Sequence, residues 1–416
     1  LTDQVRRSCR HRGINSKHVF LGGEDVGSYA ENFVNTLRSK GWLVAGVNAH
    51  DAKKQRANIQ ASTDRLDLMG IASMLLNRRA NFSPAQSGIY RNLRTLVRHR
   101  RKLVVMSTEI RNQIHTVVDR LFPGFLDERK TGIVAFTNSS LYLMENRFSA
   151  RQIHRRKRDR LIEILKRYGT SKPELTAAKL QEYARQVLIP PKEYMSTLQL
   201  SLAQHVKHFR CLKENIKQVE REIALWLCRT QGAFLTTVRG IGIVLAAGVS
   251  AEIGDPYQQK PLNNLVSYAG IIPRVKQSGG IEGKTFTSKV AKRCNRILKD
   301  YVVKSGLHLG LHGPEDLMAD YKRRDAAGQH ADFGMARRYL RMAMCLMRTS
   351  QIYLPSRLRK KGVDVQERRS YYLTIWPYIR EKWYKLGALE AAFEKDRPLG
   401  QWRYMVQELY EIKLKL

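Results

Sequence analysis

Three carboxylates near the start of the chain have the types and spacing to hold a divalent metal ion: Glu24, Asp64 and Asp67. Asp64 and Asp67 stand three positions apart, so on a helix they share one face. Glu24 closes a short apolar run, and open α/β sheets place their sites at the carboxyl ends of strands. A strand-end carboxylate facing a helical pair is an oxygen cage for Mg2+ or Mn2+. Such ions clamp the oxygens of a phosphoryl group in transfer. The plainer reading is a helix start with acids near its positive end. Asp25, beside Glu24, could also take its neighbour's place.

A second set of residues lies far along the chain. Gln277-Ser278-Gly279-Gly280 puts a hydroxyl nucleophile in a glycine-rich run, with Lys284 and Arg293 near enough in sequence to steady charge on a phosphate. Most such runs are turns. Upstream, Leu235 to Ala247 reads as two short helices meeting at Gly240-Ile241-Gly242, a helix-hairpin-helix pattern. Glycines there let backbone N–H groups approach a phosphate; a simple packing turn is the alternative. Lys292, Arg293 and Arg296, with Lys289 and Lys299, make a basic helix face whose inner side is Cys294 and Leu298. Arg98-His99-Arg100-Arg101-Lys102 and Arg155-Arg156-Lys157-Arg158 are further basic runs.

The elements that must position these groups follow from pattern. Residues 18–21 form a short strand. Tyr29, Phe33 and Leu37 recur at helical spacing, and Trp42-Leu43-Val44-Ala45 makes a second strand. Strand, helix, strand with short links is a βαβ unit, hence a parallel pair. Ser62-Thr63 caps a helix from Asp64 to Asn77. Residues 86–230 read as almost wholly helical. Within them Leu202, His205, Phe209, Leu212, Ile216, Val219, Ile223 and Trp226 alternate by four and three, a seam expected to form a self-associating coiled-coil arm. One helix buried in a bundle is the competing reading. Residues 231–350 hold the glycine-rich motifs and 351–416 a basic, aromatic extension.

Across 416 residues there are 74 Lys and Arg against 37 Asp and Glu, a formal net charge of +37. Self-repulsion on that scale calls for a polyanionic partner, nucleic acid first and anionic membrane second. No apolar run is long enough to cross a membrane. The five cysteines are scattered without a CxxC pair, which argues against a zinc finger or disulfide framework and fits a reducing cytoplasm.

In this order the motifs resemble those of the DEDD transposases of bacterial insertion sequences, the IS-one-ten and IS-eleven-eleven group, with Piv-type DNA invertases as relatives. Glu24-x-x-Gly27-x-Tyr29, Val47-Asn48 and Thr63-Asp64-Arg65-Leu66-Asp67 are similar to the family's first block. Ala49 stands where Pro is usual, Ser62 replaces Lys and Leu68 replaces Ala. Gly240-Ile241-Gly242, Ala251 to Asp255, Tyr268 to Pro273, Gln277-Ser278-Gly279 and Asn295-Arg296-x-Leu298 follow its second block.

The resemblance implies a fold class of α/β plus mostly α. A truncated RuvC-like (RNase-H-type) domain would occupy 1–85, a helical coiled-coil arm 86–230, and a helix-hairpin-helix-containing transposase domain 231–350. It implies a metal-binding tetrad whose last three members map to Glu24, Asp64 and Asp67; the first is expected upstream of Leu1. It implies Ser278 as a nucleophile forming a covalent serine–DNA link. It further implies donor and target DNA as substrates, a noncoding bridge (seeker) RNA as guide, and a homo-oligomer, dimer or tetramer. A Piv-type invertase and a RuvC-like nuclease using water are the alternatives.

Overall fold

The computed structural model describes residues 2–15, 19–24, 28–56, 63–77, 88–146, 148–188, 191–258, 261–272, 274–277, 285–288, 294–359 and 362–384. The chain divides into two compact units, 1–87 and 88–416.

The first unit is a small α/β layer. It holds α1 (Thr2–His11), β1 (Phe20–Glu24), α2 (Ser28–Ser39), β2 (Leu43–Val47), α3 (Ala49–Lys54) and α4 (Asp64–Leu76). The two strands pair in parallel, with Glu24 opposite Val47 at the carboxyl edge. A parallel pair needs a crossover, and α2 supplies it. Gly41, at φ 84°, reverses the chain after α2 in a conformation open to glycine. The strands are held from two sides. Leu37, Trp42 and Val44 cluster with Val34 of α2, while Val47, Ala52, Ile71 and Met74 cluster where α3 and α4 cover β2. Gly22 leaves the room that Leu75 of α4 fills against β1. The expected βαβ unit is present, with β1 running two residues later than the sequence pattern placed it.

The second unit is mostly helical. Its elements are α5 (Gly88–Leu121), α6 (Glu128–Thr131), α7 (Asn138–Glu145), α8 (Ala150–Arg155), α9 (Arg158–Arg167), α10 (Pro173–Gln186) and α11 (Lys192–Leu227). A 3-10 turn at Gln231–Thr237 leads to α12 (Ile243–Ile253), α13 (Leu262–Tyr268), and an antiparallel ribbon of β3 (Arg274–Gln277) and β4 (Thr285–Ser288). Then come α14 (Arg296–His312), α15 (Glu315–Ala326), α16 (Ala331–Thr349), a 3-10 turn at Ser356–Arg359, and α17 (Val365–Tyr384).

Helices α5 and α11 form a long antiparallel pair. Tyr90, Leu93 and Val97 pack with Ile223, Ala224 and Leu227 at one end. Leu103, Ile110 and Ile114 pack with Leu202, Val206 and Phe209 toward the other. The heptad seam is therefore filled within the chain. Leu202, Phe209, Leu212 and Ile223 are all buried. The expectation of a seam held open for self-association is corrected, because α5 carries a complementary apolar stripe of equal length. At roughly 1.5–3 kcal/mol per buried large apolar side chain, this interface dominates the stability of the pair.

Within the tail, α17 packs onto the body of the second unit: its Ile379 and Trp383 are fully buried in the core built with α12, α14 and α16. Among the described residues, no helix is long and apolar enough to cross a membrane, and the five cysteines are free.

Candidate functional site

Glu24 is half-buried at the end of β1. Thr63 starts α4, its hydroxyl accepting from the Leu66 N–H. Asp64 and Asp67 therefore sit in the first helical turn, as their spacing required. Ile71 and Met74 of α4 pack on Val47, the partner of Glu24. Asp67 is one turn N-terminal to Ile71 on the same helix face.

Asp64 is exposed, and Asp67 forms an ion pair with Arg56, whose side chain is buried. Among the described residues, no group of three or more His, Cys, Asp or Glu stands close enough to hold a metal ion. Glu24, Asp64 and Asp67 are not drawn together into such a group. The donor set is all oxygen, which fits a hard cation. The Arg56 guanidinium occupies the place such an ion would compete for at Asp67.

In the second unit a buried carboxylate organises the region around the glycine-rich motifs. Glu252 of α12 is 1% exposed. Arg98 Nε donates to its Oε1 at 2.8 Å and Arg98 Nη2 to its Oε2 at 3.0 Å. Arg94 lies 3.6 Å from Oε2, and Asn295 Nδ2 donates to Oε2 at 2.8 Å. Burial alone would raise the Glu252 carboxyl, but the bonds from Arg98 and Asn295 and the charge of Arg94 outweigh it and hold it below the ordinary value.

Asn295 also donates to the Tyr268 hydroxyl at 2.9 Å, and its N–H bonds the Tyr268 carbonyl at 2.8 Å. Tyr268 ends α13 and Asn295 caps α14. These bonds tie together the two ends of the segment that contains β3, Ser278 and β4. Ser278 itself lies outside the described residues, as do Lys284, Lys292 and Arg293.

The basic run on α5 is partly engaged within the chain. Arg98 is committed to Glu252, Arg100 pairs with Glu220 of α11 at 2.7 Å, and Arg101 pairs with Asp300 of α14 at 2.7 Å. These arginines bracket three helices onto α5; Lys102 is exposed. Arg155 and Arg296 are exposed and Arg156 is half-buried, so these remain open to a polyanion.

At the glycine turn the first helix of the expected pair is a 3-10 turn, buried from Gly232 to Thr237. Gly240, at φ 90°, comes so close to His308 that a Cβ would lie 3.0 Å from its carbonyl oxygen. Its N–H donates to Tyr378 Oη at 3.1 Å, so this donor is already used by α17. Gly242, the N-cap of α12, has open space around it. Lys382 of α17 donates to the carbonyls of Thr236 at 2.9 Å, Val238 at 3.3 Å and Ile241 at 2.7 Å. Burial pulls its ammonium down to about 7. The resulting cavity, about 650 Å³, opens between Arg101, Gly242, Lys304, His308 and His312.

Two family models match this chain. One, for the DEDD transposase of the IS110 group and described as a transposase, covers residues 4–123. The other, described as the transposase IS116/IS110/IS902 family, covers residues 232–307. These two matches, with the relative described next, support an IS110-family DEDD transposase. The chain is an enzyme acting on DNA, in transposition and recombination. It is also 25% identical over 305 residues to an uncharacterised 44.8 kDa protein of insertion element IS116 from Streptomyces clavuligerus, covering 71% of this chain and 74% of that one.

The first match takes in Glu24, Asp64 and Asp67, and the second spans Gly240, Glu252, Ser278 and Asn295. Glu252 and Asn295 lie within motifs visible in the sequence, but the motifs give neither residue a role. The available signal was a glutamate inside the otherwise apolar run of α12, since a lone buried acid requires partners. Tyr378 and Lys382 were missed because they sit in a basic aromatic tail that read as an appendage.

Proposed function

We propose that this transposase cuts and rejoins DNA through a covalent link to Ser278, with a divalent metal held by Glu24, Asp64 and Asp67, and that a noncoding bridge RNA selects its donor and target sites. What supports the reading is Glu24 at the carboxyl end of a parallel strand, Asp64 and Asp67 in the first turn of the helix packed on that strand pair, and a second family segment that spans the serine. The first unit is then the part of a RuvC-like domain that carries these acids.

Bound Mg2+ or Mn2+ would polarise the phosphate and favour the ionised hydroxyl. Ser278 Oγ forms a bond to phosphorus, the bond to one strand's oxygen breaks, and that oxygen leaves with a proton. The phosphodiester energy is kept in the phosphoserine link. A hydroxyl of the second DNA strand later displaces the serine and restores its proton. Water-based cleavage gives no such intermediate.

Asp67 has to exchange its Arg56 partner for the ion. Serine and carboxylates from different subunits of a dimer or tetramer would make the reaction depend on assembly. The net charge of +37 suits a protein that holds RNA and two duplexes. Sequencing the nucleic acid that copurifies with the protein tests the guide: one defined noncoding RNA is expected, and a random mixture contradicts it.

A further inference from the structure

We propose that the cleft between α15 and α16 binds the phosphodiester backbone of a nucleic acid. Five arginines line this cleft of about 520 Å³: Arg323 and Arg324 from α15, and Arg337, Arg338 and Arg341 from α16. One carboxylate, Asp320, stands among them at 7% exposure. It accepts from Arg323 at 2.5 Å, Arg338 at 2.8 Å and Arg324 at 3.2 Å. Arg338 also reaches Asp316 at 3.6 Å. Arg337 and Arg341 have no acidic partner among the described residues.

Asp320 cannot neutralise this set. Four positive charges remain in excess along the lining, more than one phosphate group offsets but what a run of phosphates supplies. What Asp320 does is orient. By gripping three guanidinium groups it fixes their planes before any ligand arrives. Burial works against its charge, but the bonds from Arg323, Arg338 and Arg324 prevail and hold it down to about 2, so the grip persists at any working pH. Gly334 has no side chain where Arg324 crosses α16; a Cβ there would lie 3.0 Å from Nη1. All five are arginines, and a guanidinium fork matches two phosphate oxygens where an ammonium offers a point charge. Arg337 and Arg341 stand one helical turn apart, ready to grip successive phosphates.

The cleft shares no residue with the three carboxylates or with Ser278. It lies outside residues 4–123 and 232–307, the segments that match the family models.

The test is fluorescence anisotropy with a labelled 30-base-pair DNA duplex and, separately, a labelled RNA hairpin, each titrated across salt. The full chain carries Arg337→Gln with Arg341→Gln, the two arginines of the cleft with no acidic partner among the described residues. Lys179→Gln with Arg185→Gln, exposed on α10, removes equal charge elsewhere. Removing two phosphate-binding arginines should lower the salt slope by about 1.8 on duplex DNA and weaken binding roughly thirty-fold near 0.15 M salt. A loss confined to the duplex assigns the cleft to DNA, and a loss confined to the hairpin assigns it to RNA. An unchanged slope on both, or an equal loss in the α10 variant, overturns the proposal. Thermal melting with Asp320 and its three partners intact should be unchanged, so a binding loss is not a folding loss.

Discussion

Replacing Glu252 with Gln should destabilise the second unit by about 2–4 kcal/mol. Breaking a buried ion pair by removing one partner costs ~3–5 kcal/mol when the other is left stranded in the interior. Here the stranding is partial. The Arg98 side chain is 45% exposed and Arg94 27%, so both can turn to water, whereas Glu252 is fully enclosed. Asn295 keeps its bond to Tyr268. The expected cost therefore falls at the lower end of that range or just under it. Urea denaturation at neutral pH, followed by far-UV circular dichroism, reads it as a lower midpoint at unchanged slope.

The pH dependence gives a second check. The folded carboxyl is held below its ordinary value of 4.5. Its contribution is thus fully present above that value and is lost as pH falls through the folded one. The gap between wild type and Glu252→Gln should stay flat from neutral pH down to about 5 and then close. A midpoint shift worth under about 0.5 kcal/mol, or a gap that widens in acid, would refute the claim that this network anchors α5, α12 and α14.

Other outcomes follow from the same geometry. Lys382→Met leaves three carbonyls without their donor and should cost ~1–3 kcal/mol. In the wild-type protein the folded state holds fewer protons than the unfolded one above about 7, so stability should rise with pH from there toward the ordinary lysine value, and this rise should vanish in the variant. Phe209→Ala should lower stability by ~3–5 kcal/mol without a prior change in subunit number by light scattering; dissociation before unfolding would mean the seam is intermolecular. Arg56→Gln should strengthen Mn2+ binding several-fold by freeing Asp67, whereas Asp67→Asn should weaken it, both by calorimetry. Weaker binding in Arg56→Gln would show that the arginine supports the site rather than competes for it.

The local fold of the carboxylate unit was legible because its signals are local. Alternation, helical spacing and the Thr63 cap are all written within a few residues of the elements they define. The α11 seam was equally visible, but its partner was not. The stripe on α5 lies about a hundred residues away, and a heptad says that an apolar face is covered without saying by which chain. The arginines of α5 show the same limit. A dense basic run displays its own charge but not the acids opposite it, Glu220, Glu252 and Asp300, which three other helices bring there. Lys382 and Tyr378 were hidden for a related reason: their task is set by carbonyls and an N–H of a turn some 140 residues upstream.

The central claim is that Ser278 attacks the phosphate, and labelled DNA tests it directly. Wild-type transposase is incubated with end-labelled donor DNA, copurified RNA and Mg2+, then run on a denaturing gel. A labelled protein band is expected in the wild type. In Ser278→Ala that band should be absent while RNA and DNA binding persist. An adduct that survives in Ser278→Ala, or cleavage with no adduct in the wild type, would contradict it.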